Sequence, residues 1–158
     1  MTFPVVPEHR SPLTLGRRLL ARLTVTVAWL LIRMPPARLR RTLGLLSRGA
    51  HPATGAQALA SRRAVVSVSR TCAGQGCLQR SVATVLLCRL TGSWPTWCAG
   101  VRTEPFRAHA WVEADGLPVG EGEDIRLFRA LMRVSPPARD ARGHDRRPRE
   151  RGTLRRGT

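Results

Sequence analysis

Residues 72–121 read CAGQGCLQRSVATVLLCRLTGSWPTWCAGVRTEPFRAHAWVEADGLPVGE, and the fold turns on how this stretch is parsed. Its periodicity changes partway. From Cys77 to Leu90 the apolar residues fall at helical spacing, with Leu78, Val82, Val85 and Leu86 on one side of an amphipathic helix. From Trp97 to Arg102 and from Arg107 to Ala114 the composition is that of strands, closed by an Asp-Gly hairpin signal at residues 115 and 116. A helix followed by an antiparallel pair predicts an α+β domain in which the helix packs on the sheet.

The same stretch holds the elements of a cysteine hydrolase: a thiol, an imidazole to carry its proton, and an acid to orient the imidazole. Cys77 follows Gly76 and opens the helix, so its sulfur is expected at the positive end of the helix dipole, which favours the thiolate. Backbone N–H groups at that terminus point to where an oxyanion forms, and Gln75 is a candidate side-chain donor beside them. The competing reading of Cys77 is a small buried core residue. His109 lies in Ala-His-Ala-Trp-Val-Glu, where alternation puts His109, Trp111 and Glu113 on one strand face and Ala108, Ala110 and Val112 on the other. His9 and His144 fall in irregular ends and His51 in a linker beside Pro52, which leaves His109 as the candidate base.

A three-residue loop, Ala114-Asp115-Gly116, sets Glu113 opposite Leu117 and His109 opposite Glu121; a two-residue Asp115-Gly116 loop shifts the register by one. The first makes Glu121 the orienting acid, with Glu113, Asp115 and Asp124 as alternatives. Trp111 either shields the imidazole or fills the core, while Trp29, Trp94 and Trp97 read as packing. The cysteines run C-x4-C-x10-C-x9-C, without the close pairs that present two thiolates to one zinc, so neither a metal nor another cofactor is expected in this chain.

Working outward, residues 1–12 hold three prolines and read as an irregular arm. Residues 13–70 read as helices and linkers. Leu23, Val27, Leu30, Leu31 and Met34 recur on one helical face until Pro35-Pro36 stops it; Leu39, Leu43 and Leu46 mark a second helix, with Arg38, Arg40 and Arg41 off its apolar side; residues 53–69 offer a third. Residues 71–134 form the chemical half. Residues 135–158 hold eight arginines against three acids and almost nothing apolar, the composition of a disordered tail. The expected organisation is one domain over 13–134 between an arm and a tail.

The 27 basic residues are all arginine and give a formal charge of +17, which favours acidic partners without naming one. The uncharged run Leu23–Ile32 has half of the roughly 20 residues a bilayer span requires, so no transmembrane segment is expected. Glu8, His9 and Arg10 interrupt any secretory signal at the start, and the expected home of these cysteines is the reducing cytoplasm.

Residues 72–121, above all CLQRS and PFRAHAWVE, resemble the transglutaminase-like leader peptidases of lasso peptide biosynthesis. The likeness extends to PPARLRRTLGLLSRGAHPAT upstream and DIRLFRALMRV downstream. It implies a papain- or transglutaminase-like core with a triad at Cys77, His109 and Glu121, where many relatives have aspartate at the third position. It also implies the split form of the family. The leader of the precursor peptide is then presented by a separate leader-recognition protein, and an asparagine synthetase-like cyclase closes the macrolactam on the freed amine. Two other classes stay open on sequence: an acyltransferase or transglutaminase using the same triad with an amine acceptor, and a non-catalytic basic protein binding nucleic acid. The chain lacks the aromatic and glycine patterns of common RNA-binding modules, so no specific nucleic acid is expected.

Overall fold

The computed structural model describes residues 13–137; the arm at 1–12 and the tail beyond 137 lie outside the described residues. The chain enters as α1 (Leu15–Leu31), turns through Pro35, and continues as α2 (Pro36–Leu46). Proline suits this restart, because the first helical residue has no intrahelical acceptor for an N–H and the ring presets φ. Next come β1 (His51–Pro52), α3 (Gly55–Val68), the single turn α4 (Arg70–Ala73) and α5 (Cys77–Arg89). The remainder is β2 (Ser93–Trp94), β3 (Thr96–Thr103), β4 (Phe106–Ala114), β5 (Leu117–Pro118), a 3-10 segment at Glu123–Leu127 and β6 (Arg129–Val134).

β5, β4, β3 and β6 form an antiparallel sheet in that order, and β1 and β2 pair in parallel apart from it. The fold is α+β, with α5 between the other helices and the sheet. α5 is not amphipathic as expected: every residue from Gln79 to Cys88 is buried, because α1 and α3 cover the sides that the sheet does not. Its polar side chains are accordingly satisfied at short range. Gln79 donates to Val25 O at 3.1 Å, Ser81 Oγ accepts from Trp97 Nε1 at 3.0 Å, and Thr84 donates to Arg80 O at 2.8 Å.

The helix α1 corrects a second expectation. Its buried residues are Ala21, Thr24 and Ala28, whereas Leu23 and Leu30 of the expected apolar face stand more than half exposed. Small side chains bring the α1 backbone close enough to α5 for the Gln79 to Val25 bond, which a leucine face would hold apart. Trp29, read as packing, is likewise exposed and lies under the Arg33 guanidinium, 3.1 Å from its centroid. In α2, Leu39 and Leu43 are buried, each worth about 2 kcal/mol of transfer free energy, while Leu46 faces outward. α3 starts on a capping box between Thr54 and Gln57, worth about 1 kcal/mol. Trp94 and Trp97 are wholly buried, as expected.

The β4–β5 connection is the two-residue loop, not the three-residue one. Glu113 pairs with Pro118 and Ala114 with Leu117, while Asp115 and Gly116 both have positive φ, 53° and 77°. That mirror-image turn matches the natural twist of a hairpin, which is why Asp-Gly selects it. Glu113 therefore does not face Leu117.

Candidate active site

The site lies where the N-terminus of α5 meets the outer edge of β4. Gly76 caps the helix and its N–H donates to Thr71 O at 2.9 Å; a Cβ there would sit 2.7 Å from that oxygen, so a side chain is excluded just before the nucleophile candidate. Cys77 occupies the first helical position and is partly exposed. β5 is only two residues long, so β4 is an edge strand beyond Val112. Val119 N–H bonds to Val112 O, which fixes the side to which Val112 and, two residues back, Ala110 present their backbone groups. The backbone at Ala110 meets the Cys77 sulfur there in a hydrogen bond.

His109 hydrogen-bonds Cys77, and its Nε2 lies 2.8 Å from Glu121 Oε2. Its ring stacks beside Trp111, with centroids 6.0 Å apart and planes 11° from parallel, and meets Phe128 at 5.3 Å. Trp111 is buried and does both things considered for it, filling the core and covering one side of the imidazole.

Burial raises the Cys77 pKa, but hydrogen bonds from His109 and the Ala110 backbone, with the charges of His109 and Arg80, reverse the balance and leave it lowered. For His109 burial works against the charged form, and the hydrogen bonds and charges of Cys77 and Glu121 outweigh it, raising the imidazole to about 9. A lowered thiol and a raised imidazole in contact form a thiolate–imidazolium pair.

Glu121 thus reaches His109, though not by the expected ladder register. The last bond of the pairing is Val119 N–H to Val112 O, one residue past Pro118, and Gly120 at φ +67° then swings the chain back over Arg62. A Cβ at Gly120 would come within 3.0 Å of the Arg62 side chain. Glu121 Oε1 then lies 3.6 Å from Arg62 Nη2 and 3.9 Å from Arg80 Nη2, with all three side chains largely buried. Arg80 also donates to Cys72 O at 3.1 Å and Gly74 O at 3.3 Å, which braces the loop ahead of Cys77. Two buried guanidiniums thus flank the carboxylate oxygen that does not face His109.

The alternative acids stand elsewhere. Glu113 accepts from Trp111 Nε1 at 2.9 Å and pairs with Arg133; Asp115 sits in the hairpin turn and Asp124 in the 3-10 segment. Gln75 lies exposed in the turn before α5, and its carbonyl accepts the Cys77 N–H at 2.9 Å, which removes that N–H from the resting oxyanion donors. Arg62 and Arg80 were not singled out from sequence, yet both left signals. Ala58, Ser61, Arg62 and Val65 follow the i, i+3, i+4, i+7 rule of a buried face, and a buried arginine demands a carboxylate. Arg80 lies one turn after Cys77.

A cleft of about 390 Å3 opens beside Cys77 and His109, floored by the sheet and walled by the connection from α1 to α2. No helix of the described residues is long and apolar enough to cross a membrane. No curated protein and no solved structure matches the chain. The family model of the transglutaminase-like superfamily matches residues 21–133, a span that includes α5, the sheet and the whole Cys77–His109–Glu121 cluster. With well over half of its 158 residues matched, the chain belongs to the transglutaminase-like superfamily.

Proposed function

We propose that this protein is a cysteine peptidase that removes the leader from a ribosomally made lasso precursor peptide. In this reading Cys77 is the nucleophile, His109 the general acid and base, and Glu121 the group that orients the imidazole. The observation that carries it is the contact of a lowered thiol with a raised imidazole whose far side is held by a buried carboxylate. The CLQRS and PFRAHAWVE resemblance supplies the substrate class, and with it a separate leader-recognition protein and a macrolactam-forming cyclase as partners.

The chemistry then runs in two halves. The Cys77 thiolate adds to the carbonyl of the last leader residue, forming a C–S bond and an oxyanion beside the α5 N-terminus. His109 gives its proton to the core-peptide nitrogen as the C–N bond breaks, leaving a thioester on Cys77. Neutral His109 next takes a proton from water, whose oxygen adds to the thioester carbonyl. The C–S bond breaks, the leader leaves as a carboxylic acid that gives its proton to solvent, and the thiolate–imidazolium pair is restored. Glu121 keeps the imidazole in one orientation in both halves, and Arg62 and Arg80 lie against its other oxygen.

The test is mass spectrometry of a cognate precursor incubated with its recognition protein and either the native chain or Cys77→Ala. Release of intact leader by the native chain alone supports the reading. Equal cleavage by both forms, or uncut precursor in a demonstrated complex, sinks it. A leader appearing as the amide of an added primary amine would assign acyl transfer instead.

A further inference from the structure

The cleft beside Cys77 differs in kind from the rest of this arginine-rich surface. Apart from Cys77 and His109 themselves, its lining is entirely apolar. The sheet face that carries Trp97 and Val112 under α5 continues past the helix N-terminus through Ala99, paired with Ala110, and Val101, paired with Ala108. α5 begins at Cys77 and does not extend over that continuation, and the small side chains of Ala99 and Ala108 leave space over it. Met34 on the α1–α2 connection, with Pro36 and Leu39 of α2, closes the opposite wall, and exposed Leu131 of β6 stands at the rim. Trp97 turns its one polar atom away, to Ser81 Oγ.

We infer that this cleft is a specificity subsite for a bulky aliphatic side chain on the residue whose carbonyl Cys77 attacks. The inference rests on the peptidase reading for the role of Cys77. Its size falls in the range of small-ligand pockets, about 300–1,000 Å3, and its lining beyond Cys77 and His109 offers a charged side chain no partner for the water it would lose. An aliphatic side chain loses nothing on entry and fixes the peptide on the wall that holds the sulfur. Discrimination comes from carbon bulk, because the lining beyond Cys77 and His109 carries no polar side chain for selection by polarity.

The experiment uses active-site labels, so it does not depend on the natural peptide. Alkylation of Cys77 in the full chain is followed by mass spectrometry with the chloromethyl ketones of acetyl-leucine, acetyl-alanine and acetyl-glutamate, and with iodoacetamide as a reference that needs no subsite. The leucyl ketone is expected to react about tenfold or more faster than the alanyl ketone, a typical value for lost methylenes in an apolar pocket, with the glutamyl ketone no faster than the alanyl. Ala108→Phe, at an exposed position on the cleft floor, is expected to bring the leucyl-to-alanyl ratio close to one. Equal rates for all three ketones on a Cys77 that iodoacetamide alkylates readily would overturn the subsite and leave the peptidase standing. A Cys77 inert to every reagent would overturn the peptidase reading, and this inference with it.

Discussion

Cys77 and Cys98 each sit beside β4 with a glutamate and an arginine in the cluster, yet the clusters have opposite electrostatics. Beside Cys98, burial and the Glu113 charge push the thiol up to about 12, and Arg133 only partly offsets them. Around Cys77 an imidazole stands between the sulfur and Glu121, so the carboxylate acts on the thiol through a cation and the thiol is lowered. One histidine between acid and sulfur reverses the sign. The Glu113 cluster locks β4 to β6 through Arg133, while the Glu121 cluster joins α3, α5 and the chain after β5 around a proton-carrying group.

The largest break in that comparison is removal of each sulfur. In the proposed reaction Cys77 forms the bond to the substrate, so Cys77→Ala is expected to lower leader release by at least about 10^3-fold. Cys98→Ala is expected to leave turnover within a few-fold and to lower stability by about 1 kcal/mol, the order of a small buried truncation. Mass spectrometry of the released leader and urea unfolding separate the two. Loss of turnover in Cys98→Ala with stability intact would show that the clusters are not independent.

Exchanging each carboxylate comes next. Glu121→Gln is expected to lower turnover by about 10^2- to 10^4-fold, because an amide no longer stabilises the imidazolium or fixes its tautomer. Glu113→Gln changes turnover within a few-fold. Glu121→Asp sharpens the point: the shorter side chain draws the carboxylate from Nε2 while retaining its charge, so a loss smaller than in Glu121→Gln would separate charge from reach. An unchanged rate in Glu121→Gln would remove Glu121 from the proposed triad.

Much of this was written in residues 72–121, and the failures there have physical causes. The α5 and β4 limits and the face shared by His109 and Trp111 follow from period alone, because local spacing fixes which way a side chain points. The approach of Glu121 to His109 was expected on the wrong register. It depends on the two-residue loop that shifts the register and on Gly120 turning the chain after Val119, and an argument confined to the expected strand pairing sees neither. In α1 the leucines misled, because hydrophobicity marks what can be buried, whereas close helix approach selected Ala21, Thr24 and Ala28. Arg62 and Arg80 were legible only as buried positions in search of a partner. Their partner lies 59 and 41 residues further on, and no local pattern links them (121 − 62 and 121 − 80).

A pH series probes the comparison more gently. Iodoacetamide labelling of Cys77 is expected to rise about tenfold per pH unit through its lowered pKa, below the ordinary 9.0, and then level off; Cys98 stays unlabelled across the range, being buried and raised to about 12. Above about 9 labelling and turnover are expected to part. His109 has then lost the proton that the proposed reaction gives to the leaving amine, while Cys77 remains a thiolate. The sign for stability agrees: the His109 pKa is raised from 6.5, so its contribution is complete below about 6.5 and fades as pH climbs through about 9. Labelling of Cys77 that begins only above 9.0 would contradict the thiolate–imidazolium pair.

The smallest effect is expected at Arg133. Its side chain is 54% exposed while Glu113 is buried, so solvent screens much of the pair, and Arg133→Gln is expected to cost at most about 1 kcal/mol. Glu113 keeps the Trp111 indole as a donor, which limits the loss further. Removing Arg133 also takes away the one cation that lowers the Cys98 pKa, so that thiol moves still further from reactivity. Meanwhile, the Cys77 labelling profile is expected to stay where it was. A shift of that profile in Arg133→Gln would mean that charge at Glu113 reaches His109 through Trp111, whose ring stacks on the imidazole and whose indole N–H is bound to Glu113. The sheet would then hold one electrostatic unit, with Trp111 as the bridge between its halves.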